Sequence, residues 1–365
     1  MTMLLMTPGP TRVPERVLRA GAQPMIYHRV PEFSKVLVET LAGLRPIFGA
    51  QGDVLPVHAT GRGAMEASIC NLFSPGDEVV VCCNGRFGEI WADFAESFGL
   101  VVHRVCADWE HSADAEVIAA ALDAHPKTKA VLVVHSDTST GALNDVAAIA
   151  SVARSRNLLV LVDGVSAVGG VPFHLDEWGV DVAITASQKC LMSSPGLSFV
   201  ALSERALKAC ETSKLPRSYF DFLDIKRALS RPQPETPGTT PVHIMLQVHQ
   251  AISMIAEEGL SQTFARHAAM AQMVCDWASK MGWSVQCPNL KHFSPTLTAL
   301  AVPENLRLNE IRDGLKARGI LTARGLGRYD ATSMRIGHLG DIRPADVQRT
   351  LDALEEVIAD LQQGH

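Results

Sequence analysis

The chain has no C-x-x-C pair among its eight cysteines; Cys82 and Cys83 are neighbours and the others are scattered. That spacing argues against a disulfide framework and reads as a reduced, cytoplasmic protein. Its thirteen histidines include no H-x-x-x-H pair, so no metal site is expected. No apolar run reaches the ~18 residues that a membrane-crossing helix needs. Residues 1–10 lack the basic patch and long apolar stretch of a secretory signal. Basic residues are not in excess: 33 Lys and Arg stand against 39 Asp and Glu, for a net charge of -6. A nucleic-acid partner and an anionic membrane surface are therefore not expected. Small anionic substrates stay open, because local arginines can bind them. Internal repeats and low-complexity segments are also missing.

What is present is an ordinary globular balance, 47% hydrophobic and 20% charged, over 365 residues. That length is too great for one ordinary core and points to a large and a small domain. Through about residue 210, strand patterns alternate with helical ones. DVLPV, EVVVCC, VVHRVCA, KAVLVVHS, NLLVLVD, VDVAITAS and GLSFVALS are the strand candidates. Several are continuous apolar runs, the pattern of strands covered on both faces. An α/β domain with a mainly parallel sheet follows. The Pro-rich stretch 230–241 breaks the order, and loops of that kind are often functional. A long helix over 242–281 and a mixed tail over 283–365, with TLTALAV and SMRIGHL as strands, complete the chain.

In open α/β sheets, ligand groups gather at the carboxyl ends of strands. Four segments here end apolar strands in polar or reactive residues: HATGRG at 58–63, HSDTSTG at 135–141, DGVS at 163–166 and SQK at 187–189. Each has a bland explanation alone. Lys189 after a strand is commonly a solvated loop residue; in a partly buried site it becomes an amine ready to condense with an aldehyde. Asp163 at the end of VLVD can simply cap a turn. It can also pair with a heterocyclic nitrogen and keep it protonated. The turn Thr60–Gly61–Arg62 before a helix lets backbone N–H groups approach a phosphate, although tight-turn geometry explains most such glycines. Arg335 in SMRIGHLG suits a structural ion pair, or a bidentate clamp on a substrate carboxylate.

Taken together, TPGPT (7–11), ATGRGAMEA (59–67), NGRFGE (84–89), HSDTSTGAL (135–143), VDGVSAVGG (162–170), SQKCLMSSPGLSF (187–199) and MRIGHLG (334–340) resemble the class V aminotransferases. The nearest branch is the alanine–glyoxylate and serine–glyoxylate (serine–pyruvate) enzymes, and the match runs in order over nearly the whole chain. The resemblance implies the type I fold of pyridoxal 5'-phosphate (PLP) enzymes. That fold has an N-terminal arm and a large domain with a mainly parallel seven-stranded sheet, here over 1–259, and a smaller α+β domain over 260–365. It implies a homodimer with active sites at the subunit interface.

The same resemblance gives residue roles. Lys189 holds the cofactor as a Schiff base and moves the proton, and Asp163 binds the pyridine nitrogen. Phe87 stacks on the ring where many relatives have Trp or Tyr. Thr60, Gly61, Arg62 and Gln188 match phosphate-binding groups, and Thr138 a hydroxyl near the ring oxygen. Thr239 matches a residue that crosses from the partner subunit to the phosphate. The Tyr that commonly sits three positions earlier is Thr236 here, and Arg62 stands where relatives often carry His or a small residue. Arg335 matches the carboxylate-binding arginine and Gly9 a backbone position near the substrate. Tyr27, His28 and Arg29 match a segment given by the partner, while His28, Arg29 and His338 are candidates for reading the distal end of the substrate.

The implied reaction moves an amino group from alanine or serine to glyoxylate or pyruvate in two half-reactions. Transaminases of 2-aminoethylphosphonate or pyridoxamine with pyruvate are alternatives. A cysteine desulfurase fits less well, because Gln188 and Phe87 stand where that group usually has His. A non-catalytic relative fits poorly while Lys189, Asp163 and Arg335 are all kept.

Overall fold

The computed structural model describes residues 3–363, apart from Ala107 and Leu290. In chain order its strands are β1 (Leu4–Met6), β2 (Asp53–Val57), β3 (Glu78–Cys82), β4 (Val101–Val105), β5 (Thr128–Val134), β6 (Ser136–Asp137), β7 (Ala142–Leu143), β8 (Leu159–Asp163), β9 (Val182–Ala186), β10 (Ser198–Leu202), β11 (Ser284–Val285), β12 (Leu297–Ala301), β13 (Ile320–Arg324) and β14 (Ser333–Gly337). The first four helices are α1 (Glu15–Gly21), α2 (Pro31–Phe48), α3 (Gly61–Leu72) and α4 (Arg86–Ser97).

Seven strands form the large sheet in the order β2-β10-β9-β8-β5-β3-β4. Pairings among β9, β8, β5, β3 and β4 are parallel; β10 runs antiparallel to both β9 and β2. The runs that read as doubly covered strands are so: β9 and β10 are buried at every residue. Period-two alternation sends Val80, Val131, Val133, Val160 and Val162 to one core, with α2 and the helix Val242–Glu258. Val79, Val81, Ala130, Leu132 and Leu161 go to the other, with α3 and α4. Burying each such side chain is worth about 1.5–3 kcal/mol, so two helical layers on one apolar sheet are the stable arrangement.

A second sheet, β1-β13-β14-β12-β11, lies under a third core. β1 pairs in parallel with β13, Leu4 opposite Ile320, and places Leu4 and Met6 in that core. The N-terminus is thereby tied to the C-terminal part of the chain. The long helix expected over 242–281 is two helices, Val242–Glu258 and Leu260–Lys280. Gly259 separates them at φ +87°, which a helix interior does not admit. Among the described residues, no helix is long and apolar enough to cross a membrane.

Candidate active site

The carboxyl ends of β5, β8 and β9 converge on one edge of the large sheet, and the end of β2 joins them because β2 is also antiparallel to β10. A cavity of about 220 Å3 opens there, walled by Thr60, Gly61 and Arg62, by Phe87, and by Asp163, Gln188 and Lys189. Seven residues singled out in the sequence thus meet around one space. Met65, Ser136, Val165 and Ser166 complete its lining.

Lys189 follows β9 on a turn, half-buried. Its Nζ donates to the Pro8 carbonyl at 2.6 Å. Burial, and then the Arg335 charge, push its pKa down from 10.5 to about 8; Asp163 opposes the shift. Gly9 lies against this side chain. A Cβ built on Gly9 would sit 2.7 Å from Lys189 Cε, and its φ of +144° favours glycine as well. TPGPT therefore serves as a wall that only a bare backbone can supply.

Asp163 ends β8, 3% exposed. Its Oδ1 accepts from the Val165 N–H at 2.9 Å. Its Oδ2 accepts no hydrogen bond among the described residues. Burial raises its pKa to about 6, and neighbouring Asp137 adds to the rise. A cationic partner in the cavity would satisfy the free oxygen and reverse that shift.

Thr60 is the residue before α3, and its side chain caps nothing. The first N–H groups of α3 thus face the cavity mouth with the positive end of the helix dipole. The Arg62 guanidinium lies 5.5 Å from the centre of the Phe94 ring and makes no ion pair among the described residues. The Gln188 side-chain oxygen is buried without a partner. This edge offers helix N–H groups, a guanidinium with no ion pair among the described residues, and an amide oxygen that lacks a donor.

Arg335, on β14, reaches the site from the second sheet. Its Nε donates to the Arg324 carbonyl at 2.8 Å and its NH1 group to the Thr138 carbonyl at 3.0 Å. No carboxylate pairs with it among the described residues, so the ion-pair explanation open in the sequence does not hold. One nitrogen of the fork stays free. Thr138 is buried and meets Arg335 through its backbone rather than lining the cavity.

Other expected residues lie elsewhere. Thr239, Tyr27 and His28 line a separate, shallow and largely apolar cavity. Arg29 pairs with Glu235 at 2.6 Å. His338 is fully buried, its Nε2 3.0 Å from Thr298 Oγ1, which makes it part of the packing of the small sheet rather than a reader of substrate. The sequence did not single out Asp137 or Ser166. Their only signal was polarity within the quoted strand-end motifs.

Comparisons with known proteins place the chain in a family. The class-V aminotransferase family model matches residues 3–326. A protein named soluble hydrogenase, small subunit, from Synechococcus sp. (strain PCC 6716) is 37% identical across 98% of this chain and 93% of its own length. L-aspartate–glyoxylate aminotransferase of Paracoccus denitrificans is 35% identical across 97% of this chain and 90% of its own. The crystal structure of an alanine–glyoxylate aminotransferase from Nostoc sp. superposes with a TM-score of 0.91 at 29% identity, covering 98% of this chain and 96% of that one. The family model over residues 3–326 and relatives above 30% identity over nearly the full length make this chain an enzyme of the class V aminotransferase family.

Proposed function

We propose that this enzyme uses PLP, held by Lys189, and transfers the amino group of a small amino acid, alanine or serine, to glyoxylate or pyruvate. The observation that carries the cofactor reading is the set of unmet polar needs around one cavity. Among the described residues Asp163 Oδ2 accepts no hydrogen bond, Phe87 walls the cavity, and the N-terminus of α3 and Arg62 carry positive charge with no ion pair. A ring nitrogen, a ring face and a phosphate meet those needs in turn. Asp163 would take the nitrogen, Phe87 the ring face, and Thr60, Gly61, Arg62 and Gln188 the phosphate. When bound, PLP supplies an electron sink for the negative charge that develops at the substrate Cα.

The chain's own residues do the rest. Arg335 offers its free guanidinium nitrogen to the substrate carboxylate and thereby orients Cα. Lys189 Nζ, its pKa lowered to about 8 by burial and the Arg335 charge, is available as the free amine that takes the Cα proton and later returns it. The Gly9 backbone leaves room for that amine to move. Asp163 keeps its charge beside the ring nitrogen once a cation faces it.

The glyoxylate acceptor is supported by two relatives named for it that differ in donor. One observation favours a second donor, aspartate: a relative at 35% identity is named for L-aspartate and glyoxylate. Thr239, Tyr27 and His28 sit on a separate face, which supports a homodimer in which that face completes the phosphate side of the other subunit's cavity.

The test is a half-reaction screen. PLP-loaded protein is mixed with alanine, serine, aspartate, 2-aminoethylphosphonate or pyridoxamine, and the visible band of the cofactor is followed. We expect alanine or serine to bleach it and glyoxylate to restore it. Bleaching by aspartate alone would move the donor to the dicarboxylates. Failure of both glyoxylate and pyruvate to restore the band would sink the acceptor.

A further inference from the structure

Asp137 is a fully buried carboxylate between Phe87, Thr138 and Arg335, and the proposed chemistry gives it no part. Its hydrogen bonds account for the whole group. Oδ2 accepts from the Phe87 N–H at 3.0 Å. Oδ1 accepts from the Ser139 N–H at 2.9 Å and from Ser139 Oγ at 2.6 Å. The Gly88 N–H also points at the carboxylate. Ser139 Oγ in turn accepts from the Arg86 N–H at 2.9 Å. The first turn of α4, residues 86–88, is therefore sewn to the 137–139 turn by one side chain and its hydroxyl neighbour. Gly85 makes the approach possible: a Cβ there would lie 2.2 Å from Asp137 Cγ.

Two site elements hang on this knot. Phe87 is on the sewn turn and walls the cavity. Thr138 follows Asp137 directly, and its carbonyl holds Arg335.

We propose that Asp137 is a positioning residue: it ties the first turn of α4 to the 137–139 turn and thereby fixes the Phe87 ring against the cavity. This rests on the PLP reading above, because the ring that Phe87 faces is the cofactor's.

The experiment is a double-mutant cycle on PLP affinity, measured by equilibrium dialysis with no turnover involved. Visible circular dichroism of the bound cofactor is the second readout. Asp137→Asn keeps the shape but cannot satisfy all of these donors. If it acts through Phe87, Asp137→Asn and Phe87→Ala should each weaken PLP binding about three- to tenfold. The double variant should then bind no more than about twofold worse than Phe87→Ala alone, and the cofactor's ellipticity should fall in both single variants alike. Wild-type affinity with full ellipticity in Asp137→Asn would overturn the proposal, and so would losses that simply multiply in the double variant. Ser139→Ala removes one donor at lower risk to folding and runs through the same cycle with the same criteria. Wild-type protein that takes up no PLP would sink the cofactor reading itself, and this inference with it.

Discussion

The cavity at Lys189 and the face that carries Thr239 contrast sharply, although the family resemblance assigns both to one cofactor. The first is built from strand ends inside a doubly covered sheet. Its carboxylates are buried, its backbone is hydrogen-bonded, and its lysine is pinned to the Pro8 carbonyl. The second is a shallow apolar hollow at the surface, where Met25 and Tyr27 are 67% and 61% exposed. One chain suffices to set the reacting groups, because the sheet fixes where its strands end. The exposed face is apolar and bears large exposed side chains, as the proposed homodimer would require.

That contrast can be broken at either end. The largest effect is expected at Lys189. Lys189→Ala should cut turnover by about 10^2- to 10^4-fold, since proton transfer at Cα loses its base. PLP should still bind without covalent attachment through Asp163 and the α3 terminus, which dialysis of the variant checks. Turnover near the wild-type rate would remove Lys189 from the chemistry. A smaller effect is expected on the exposed face. Tyr27→Asp places a charge in the hollow and should dissociate a dimer by about tenfold or more in Kd, because an unpaired charge is costly to bury. PLP affinity should fall with it. Sedimentation and dialysis on one sample test the link. A variant that stays dimeric and keeps its cofactor would end the idea that this face completes the site.

Much of the seven-stranded sheet was legible because its strands are continuous apolar runs, and a sheet covered on both faces leaves that signature whatever its partners. The strand ends followed, with the polar residues at 58–63, 135–141, 163–166 and 187–189. Other features were hidden for physical reasons. β1 is three residues among prolines and glycines, and its partner β13 is separated from it by most of the chain; neither strand announces itself locally. The break at Gly259 was masked by helical periodicity on both sides. His338 sat within a motif that suggested function, but burial against Thr298 decides otherwise. Asp137 was quoted within HSDTSTG, yet its importance lies in four donors brought from two segments, and no spacing rule records that.

The finest test concerns how the rigid cavity sets its own amine. In cofactor-free protein, pH-dependent acetylation of Lys189, followed by mass spectrometry, should show a midpoint near 8. A solvated lysine titrates near 10.4. The cause is burial first and the Arg335 charge second, so Arg335→Met should raise the midpoint by roughly half a unit to one unit. The sign carries over to stability. Lys189 is depressed in the fold, so between about 8 and 10.5 the unfolded chain holds more protons, and this residue's contribution to stability grows as pH rises through that window. Asp163 is raised to about 6, so between 3.8 and about 6 the folded chain holds more protons, and its contribution shrinks as pH rises there. An unmoved midpoint in Arg335→Met would mean that burial alone sets the amine. The second sheet would then contribute substrate binding but nothing to the base.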